Sequence, residues 1–314
     1  MYKNQTVALV IPAYNEEKLI KPTVEHVSEA IDKIYVIDDA STDSMAEVVK
    51  KLMKKDKRIT LIQHKTNKGV GQGIVTGYLQ VLKDNYDIAV VIGGDYQMDL
   101  ANLPNFLDPI IAGEADYTKG NRFLYAEGIP DVMPFARQFG NSILSLMTKL
   151  ASGYYKVFDA MDGFTAINKK ALETINWKKA WKGYGYPADF LIRLNAYGLK
   201  VKDVPRRAIY LPGERQSQIK VIKYMIRVTP MMIRGFFWRL WTKFILRDFH
   251  PLVFFYMLGL TIFPVGIALG IWILSRLIMH HGLSINWVIF CALLIITGFQ
   301  SLLFAMFFDM EQSK

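Results

Sequence analysis

Two long apolar runs near the end of the chain restrict the fold more than any other feature of the sequence. Residues 251–275 and 285–308 contain no charged side chain. As helices, both runs are long enough to cross about 30 Å of hydrocarbon. We therefore expect residues 250–314 to form two transmembrane helices, at 251–275 and 285–308, joined by a short loop. Buried core helices of a large soluble protein are the alternative.

The segment before the first apolar run, residues 217–249, is rich in basic and aromatic side chains. The basic residues are Lys220, Lys223, Arg227, Arg234, Arg239, Lys243 and Arg247, and they alternate with Tyr224, Phe236, Phe237, Trp238, Trp241 and Phe244. This mixture is typical of amphipathic helices in the headgroup layer of a membrane, and a solvated basic face is the alternative. The formal net charge is +10, and its densest stretch adjoins an apolar run, so we expect a membrane partner and no nucleic acid.

The basic residues also predict which side of the membrane the chain faces. Those before the first span outnumber Arg276, which stands alone in the short loop. The positive-inside rule then places residues 1–250 in the cytoplasm, with the C-terminal tail beside them. The apolar stretch at 7–11 is too short for a signal peptide. The single cysteine, Cys291, lies in the second span and is compatible with a cytosolic face.

The first hundred residues alternate between predicted strands and helices. Strands are predicted at 7–11, 34–37, 59–63 and 88–92, and the helices after them run to about residues 30, 54, 82 and 112. Asn15 is the expected N-cap of the first helix. This alternation is typical of an α/β domain with a mostly parallel sheet. Polar residues after three of the strands predict a single pocket at the carboxyl edge of that sheet.

The loop after the fourth strand reads Asp95-Tyr96-Gln97-Met98-Asp99. Carboxylate and amide oxygens at this spacing suit a hard cation, Mg²⁺ or Mn²⁺, which proteins commonly share with a phosphate group. Asp95 and Gln97 are therefore candidate metal ligands. Asp99 is either a third ligand or the N-cap of the helix that begins at Leu100.

Two common nucleotide-binding motifs are missing. A dinucleotide-binding dehydrogenase has Gly-x-Gly-x-x-Gly after its first strand, where this chain has Pro12-Ala13-Tyr14-Asn15. The glycine-rich turn at 69–73 follows the third strand instead, and it lacks the Gly-Lys-Ser/Thr of a Walker P-loop. These observations disfavour both classes.

A series of short motifs gives the chain a resemblance to a known family. The motifs are Pro12-Ala13-Tyr14-Asn15-Glu16, Asp38-Asp39-Ala40-Ser41-Thr42-Asp43, Asn67-Lys68-Gly69-Val70-Gly71, Asp95-Tyr96-Gln97-Met98-Asp99, Lys119-Gly120-Asn121-Arg122-Phe123, Asp162-Gly163-Phe164, Asp203-Val204-Pro205 and Gly213-Glu214-Arg215 with Ser217. In this order they resemble the family 2 glycosyltransferases with the GT-A fold, and the later ones resemble the polyprenyl-phosphate sugar synthases. The resemblance implies a GT-A domain with a mostly parallel central sheet at 1–216, amphipathic membrane-interface helices at 217–249 and a transmembrane hairpin at 250–314.

The resemblance implies a nucleotide-sugar donor at the carboxyl edge of the sheet. The implied donor contacts are Pro12, Ala13, Tyr14, Glu16, Asp38, Asp39, Lys68, Gly93, Gly94 and Asp95. Asp95 and Gln97, with Asp99 as a third candidate, would hold the cation against the donor diphosphate. Many family members have an aspartate at the position of Gly93, so one negative ligand is missing here. Packing of Tyr14, and helix capping by Asp38 or Asp43, are the alternatives.

The implied acceptor is a lipid monophosphate, which is already ionised near neutral pH and needs no general base. It requires cations instead, and arginine suits this role through its forked donors. The implied residues are Arg122, Arg137 and Arg215, with Asn141 and Ser142 as hydrogen-bond donors and Asp162 and Asp189 as contacts to the sugar or the acceptor. A surface charge is the alternative for Arg137, and a helix N-terminal charge is the alternative for Asp189.

We therefore predict an inverting glycosyltransferase with Mg²⁺ or Mn²⁺ as cofactor. It would move a hexose from a GDP-mannose or UDP-glucose type donor to the phosphate of a polyprenyl phosphate, dolichyl or undecaprenyl. Its catalytic domain would face the cytoplasm from a multi-pass anchor in the cell membrane or an endomembrane, and an oligomer is compatible with the sequence. The alternatives are a processive polysaccharide synthase, whose Gln-x-x-Arg-Trp motif is missing at 237–241, and a catalytically silent GT-A membrane scaffold.

Overall fold

The computed structural model of the protein describes residues 1–124, 135–159, 161–206 and 221–312. The chain divides into two compact units, Met1–Phe237 and Trp238–Lys314. The first unit contains a β-sheet with helices on both faces, and the second contains two long apolar helices.

A sheet of seven strands forms the centre of the described part of the first unit, in the order β3-β2-β1-β4-β6-β5-β7. The strands are β1 (Val7–Ala13), β2 (Lys33–Asp38), β3 (Ile59–Gln63), β4 (Ile88–Val91), β5 (Tyr117–Asn121), β6 (Thr165–Asn168) and β7 (Val201–Pro205). β1 to β4 are mutually parallel, β6 is antiparallel to both of its neighbours, and β5 is parallel to β7. The carboxyl ends of β2, β1 and β4 therefore lie side by side.

Helices cover both faces of this sheet. In chain order, the described α-helices of both units are α1 (Ile20–Glu25), α2 (Met45–Lys55), α3 (Val70–Lys83), α4 (Leu103–Ile111), α5 (Phe135–Ser152), α6 (Lys169–Thr174), α7 (Tyr186–Ala196), α8 (Val221–Arg239), α9 (Leu252–Ile278) and α10 (Ile285–Glu311). Alternate residues of each strand point to opposite faces. Leu9 thus packs in the same core as residues of α1, α2 and α4, whereas Val10 packs with residues of α3 and α7. All four predicted N-terminal strands are present.

The first helix departs from the sequence prediction. It spans only Ile20–Glu25, instead of running from Asn15 to about residue 30. Asn15 is not its N-cap, because Asn15 has a positive φ of 56° and its side-chain oxygen accepts a hydrogen bond from Thr42 N. An asparagine tolerates this left-handed conformation better than most residues, and it thereby ties the loop after β1 to the loop after β2.

In the second unit, α9 and α10 coincide with the two apolar runs to within three residues at each end. Both are long and apolar enough to span a membrane. Glycines bring their backbones close together: a Cβ added to Gly298 would lie 2.6 Å from Phe263 N, and one on Gly266 would lie 2.9 Å from Ile295. Small residues at such contacts are typical of helices that pack inside a bilayer.

A buried ion pair also lies within the second unit. The Arg239 guanidinium donates through Nη1 and Nη2 to the two oxygens of Asp309, at 2.7 Å each, and both side chains are 0% exposed. The Tyr256 hydroxyl lies 3.3 Å from Asp309 Oδ2. Burying a charged group without a partner costs free energy. The two hydrogen bonds between the guanidinium and the carboxylate offset that cost.

Candidate active site

Three adjacent strand ends form the first half of the site, which we call the donor edge and define by Ala13, Asp39 and Gly94. Asp39 N donates to Ala13 O at 3.0 Å. A Cβ on Gly94 would lie 3.0 Å from the Ala13 Cβ, and one on Gly73 would lie 3.1 Å from the Pro12 Cβ. The structure therefore brings the predicted donor residues of β1, β2 and the β4 loop together at one edge.

The loops at the donor edge are fixed by hydrogen bonds between them. Asn15 N donates to Ser41 Oγ at 3.0 Å, and Glu17 N donates to Asp43 Oδ2 at 3.0 Å. Tyr14, between Ala13 and this cross-link, is 44% exposed and has an accessible ring. Glu16 accepts hydrogen bonds through its main-chain oxygen from the start of α1. The predicted donor contacts Tyr14 and Glu16 thus lie on a turn that is hydrogen-bonded to the loop after β2.

Two other aspartates, Asp38 at the end of β2 and Asp43 in the loop after it, each accept a main-chain hydrogen bond from the segment that leads into α2. Asp38 Oδ1 accepts from Ser41 N at 2.8 Å, and its Oδ2 accepts from the Gln63 side chain at 2.9 Å. Asp43 Oδ1 accepts from Met45 N at 3.1 Å, at the first residue of α2. Their geometry matches the capping alternative for Asp43, and it shows Asp38 as a buried brace between β2 and β3.

Asp39 is held differently, by three donors from the far side of the edge. Its oxygens accept from Lys68 N at 2.9 Å, from Gly69 N at 2.7 Å and from the His64 ring at 2.6 Å. Gly69 has a φ of +91°, which glycine adopts without strain, and it precedes α3. The turn predicted from the glycine spacing therefore lies directly against Asp39, while the Lys68 side chain is exposed beside it.

The loop after β4 carries the predicted metal ligands. Asp95 Oδ1 accepts from Gln97 N at 3.3 Å, and Tyr96 between them has a φ of 55°. Asp99 Oδ1 accepts from Ala101 N at 2.9 Å and so caps the 3₁₀ turn at Leu100–Asn102. A Cβ on Gly93 would lie 2.8 Å from Asp95 Oδ1, so an aspartate at this position would have placed a second carboxylate beside the first.

The carboxylate of Asp95 and the side-chain oxygen of Gln97 are ligands of the kind that suits a divalent cation shared with a diphosphate. Burial raises the pKa of the Asp95 carboxyl above its usual range, although main-chain donors and the charge of Arg206 oppose that effect. A carboxylate in this state gains from a nearby cation. The described residues contain no group of three or more acidic, histidine or cysteine side chains that could hold a metal ion.

The second half of the site is an ion-pair cluster formed by Arg122, Asp159, Asp162 and Arg206. Arg122 binds Asp159 through Nε at 2.7 Å and Nη2 at 3.0 Å. Arg206 Nε lies 2.6 Å from Asp162 Oδ2, and its Nη1 donates to Gln97 O at 3.2 Å. Because β6 is antiparallel to β4, its first residues lie at the same edge of the sheet as the end of β4. The ion-pair cluster therefore adjoins the loop after β4.

Burial and charge act against each other in this cluster. Burial opposes ionisation of Asp159, but the Arg122 guanidinium outweighs it and holds the pKa of Asp159 below its usual range. Burial lowers the pKa of the Lys119 ammonium, whose Nζ donates to Asp162 O. Burial also raises the pKa of Asp203, whose Oδ2 accepts from Asn121 at 2.6 Å.

Asp189 lies in the first turn of α7 but acts on a neighbouring segment. Its Oδ2 accepts from Trp181 N at 2.8 Å and from Arg193 Nε at 2.7 Å. The segment so held packs against the first turn of α3, where a Cβ on Gly71 would lie 2.3 Å from Trp181 O. In this structure, Asp189 therefore holds the segment at Trp181, which packs against the start of α3 beside the donor edge.

A comparison with known families agrees with this arrangement. The model described as "Glycosyl transferase family 2" matches residues 8–175, a stretch that contains both the donor edge and most of the ion-pair cluster. The chain belongs to glycosyl transferase family 2.

This family 2 glycosyltransferase is similar to proteins with assigned names. It is 31% identical over 220 residues to the UDP-N-acetylglucosamine--dolichyl-phosphate N-acetylglucosaminyltransferase of Methanococcus voltae, a match that covers 66% of this chain and 87% of that protein. It is 26% identical over 237 residues to the polyprenol monophosphomannose synthase of Mycolicibacterium smegmatis, covering 74% and 88% of the two chains.

Among solved structures, the glycosyltransferase is similar in fold to glucosyl-3-phosphoglycerate synthase of Mycobacterium tuberculosis in complex with Mn²⁺ and UDP-glucose. The TM-score is 0.56 at 19% identity, and the match covers 74% of this chain and 79% of that one. At this identity the likeness shows the fold alone. The GT-A-like α/β fold predicted for the first unit is confirmed.

The sequence interpretation missed Asp159 and Arg206 of this glycosyltransferase. The signal for Asp159 was a second acidic residue three positions before Asp162, and the signal for Arg206 was an arginine directly after β7. The contact of His64 with Asp39 could not be read from the sequence. The side chains of Arg137 and Asn141, and the whole of Arg215 and Ser217, lie outside the described residues; Ser142 is exposed on α5.

Proposed function

We propose that this protein transfers a hexose from a nucleotide sugar to the phosphate of a polyprenyl phosphate, with inversion at the anomeric carbon. The observation that carries the proposal is the contact of Arg206 with both Asp162 and Gln97 O. This contact joins the ion-pair cluster to the loop after β4, which carries the predicted metal ligands. A donor diphosphate and an acceptor phosphate are both anions, and this edge offers each of them a separate set of partners. Relatives named for dolichyl phosphate and polyprenol phosphate support this substrate class.

The donor would bind along the strand ends. Asp39 keeps acceptor capacity for the base or ribose, and the exposed Tyr14 ring supplies an apolar wall. Asp95 and the side chain of Gln97 would hold Mg²⁺ or Mn²⁺ against the diphosphate, and the cation supplies neutralisation of the leaving group. Gly94, without a side chain, lets the loop after β4 pack closely against Ala13, so that the ends of β1 and β4 meet at this edge.

The acceptor needs position more than activation. An oxygen of the lipid phosphate attacks the anomeric carbon as the bond from that carbon to the diphosphate oxygen breaks, and the leaving group keeps the bonding electrons. Arg122 is already paired with Asp159, so it orients the phosphate within a cluster of balanced charge. Arg137 and Arg215 are proposed to supply the extra positive charge that a phosphate requires.

The membrane would supply the acceptor. On α8, Ile226, Ile233 and Phe237 are exposed beside the exposed Arg227 and Arg234, an arrangement suited to an anionic headgroup layer. With α9 and α10 as a multi-pass anchor and the catalytic unit on the cytoplasmic side, the lipid phosphate is held near the site, which raises its effective concentration. Protease access to the first unit in inverted, but not in right-side-out, vesicles would support this orientation.

Transfer can be measured directly with the full chain in membranes. Labelled GDP-hexoses and UDP-hexoses are each incubated with polyprenyl phosphate, and label in a butanol-extractable lipid is counted. We expect one donor to give lipid-linked sugar, and the Asp95→Asn variant to give almost none. Absence of lipid product with every donor would refute the proposal. If calorimetry then also showed no nucleotide binding, the silent-scaffold alternative would be the better account.

A further inference from the structure

His64 is a buried titratable side chain next to the donor edge to which no role has been given so far. It follows β3, and its side chain is only 5% exposed. One ring nitrogen, Nδ1, lies 2.6 Å from Asp39 Oδ1, and the other, Nε2, lies 2.9 Å from Thr76 Oγ1 on α3. The ring therefore connects Asp39 to the body of a helix.

The partners of His64 determine which nitrogen carries a proton. A carboxylate only accepts hydrogen bonds, so Nδ1 must be the N–H that donates to Asp39. Nε2 is then free to accept the Thr76 hydroxyl proton in the neutral ring. In this state the histidine fixes the rotation of the Asp39 carboxyl group and keeps both oxygens as acceptors.

Counting acceptors shows what this arrangement leaves for a ligand. An ionised carboxylate has about four acceptor positions on its two oxygens. Within the described part of the chain, Asp39 receives three donors: Oδ1 accepts from His64 and Lys68 N, and Oδ2 accepts from Gly69 N. One position remains, on Oδ2, and it can take only a donor group.

We propose that His64 is a positioning residue that makes the donor edge selective for a nucleobase with a ring N–H, such as uracil or guanine. The inference rests on the proposed function, in which Asp39 contacts the base. Cytosine has a bare ring nitrogen at the place where uracil has N–H, so its lone pair would face that of Asp39 Oδ2. Without His64, only Lys68 N and Gly69 N hold the carboxyl group, Oδ1 gains a second open acceptor position, and the discrimination weakens.

The test measures the affinity of the full chain in detergent for UDP, GDP and CDP by calorimetry, without any lipid. The variants are His64→Leu, which removes both contacts, His64→Asn, whose amide nitrogen replaces Nδ1, and Thr76→Val, which removes the hydroxyl. His280→Leu, at an exposed histidine of the second unit, is the matched control. Unfolding temperatures are recorded for all of them.

We expect wild type to bind UDP or GDP more tightly than CDP, and His64→Leu to weaken that binding roughly tenfold, equivalent to about 1.4 kcal/mol. CDP affinity should stay the same, His64→Asn should restore most of the loss, and Thr76→Val should show the same selective loss to a smaller degree. Equal weakening for all three nucleotides, or no change for any, would overturn the inference in favour of a purely structural histidine.

The same measurements separate this inference from the proposed function. If wild type binds none of the nucleotides, both are overturned. If wild type binds UDP or GDP but His64→Leu binds it equally well, the role of His64 is wrong and the proposed function stands. Should His64→Leu fail to fold, Thr76→Val and His64→Asn decide the question, since both keep a side chain of similar size.

Discussion

At the donor edge, aspartates accept hydrogen bonds mostly from main-chain N–H groups, whereas in the ion-pair cluster they bind guanidinium groups. Asp39 holds Lys68 N and Gly69 N, but Asp162 holds Arg206. The first arrangement fixes loops and leaves an acceptor for a neutral base. The second buries balanced charges, so an added anion needs further cations. In the proposed function, these two arrangements would serve the donor and the acceptor separately.

Asp95 lies between these two regions. Its Oδ1 accepts from Gln97 N at 3.3 Å, and burial raises its pKa. The charges of Arg206 and Asp162 act on it in opposite directions. It is therefore the carboxylate on which the comparison between the regions can be tested most directly.

The largest effect is expected from breaking the ion-pair cluster. Asp162→Asn leaves the buried Arg206 and the nearby Arg122 without their shared charge, and we expect the free energy of unfolding to fall by about 3–5 kcal/mol. Thermal unfolding in detergent measures it. Asp108→Asn is the matched control, because the Lys3–Asp108 pair is exposed and should matter little. Similar unfolding temperatures for both variants would show that the cluster does not stabilise the fold.

Removing the charge of Asp95 should lower activity without destabilising the fold. We expect Asp95→Asn to reduce sugar transfer roughly 10²–10³-fold, the usual cost of losing one group that stabilises transition-state charge. Initial rates with saturating lipid acceptor measure it. If the variant kept more than a tenth of the wild-type rate, the metal role of Asp95 would have to be abandoned.

Asp99 should matter less, because its Oδ1 caps the turn at Leu100–Asn102. We expect Asp99→Ala to cost about 1 kcal/mol of stability and to weaken transfer much less than Asp95→Asn does. Asp99→Ser, which can still cap, serves as the control and should recover the stability. Losses of transfer equal to those of Asp95→Asn would make Asp99 a metal ligand.

The smallest effect is a pH dependence that comes from Asp95. Its pKa is about 3.9 in an unfolded chain and higher in the folded one, so the folded state binds more protons between these values. Stability from this group is thus lost as the pH rises through that window. Asp95→Asn lacks this loss and should unfold at a higher temperature than wild type at pH 7 but not at pH 3. A wild-type advantage at pH 7 would contradict the raised pKa.

The sequence predicted the parts of the fold that depend on local patterns. β-branched runs such as 34–37 and 88–92 became strands, and the apolar runs became α9 and α10. The first helix was predicted wrongly, because the side chain of Asn15 bonds to Thr42, a residue on another loop. An N-cap and such a cross-link require the same residue type, so only the fold distinguishes them.

In the candidate site, too, the sequence predicted what depends on local motifs but not what depends on contacts between distant segments. Motif positions indicated which residues would meet at the edge, and Ala13, Asp39 and Gly94 do meet there. What each carboxylate bonds to was not predictable, because the partners of Asp39 and Asp189 come from distant segments. Arg122 was predicted to contact the acceptor phosphate, but its pairing with Asp159 was not predictable, because it depends on how the loop before β6 folds back.

The buried pair of Arg239 and Asp309 has a consequence for biosynthesis. The two residues are 70 positions apart, so a ribosome that adds 5–20 residues each second makes the acidic partner roughly 4–14 s after the basic one. Until then the arginine lacks the Asp309 carboxylate to which its Nη1 and Nη2 donate in the folded unit. A chain that ends before residue 309 could not form this bidentate pair, so the second unit can be completed only after almost the whole chain has been made.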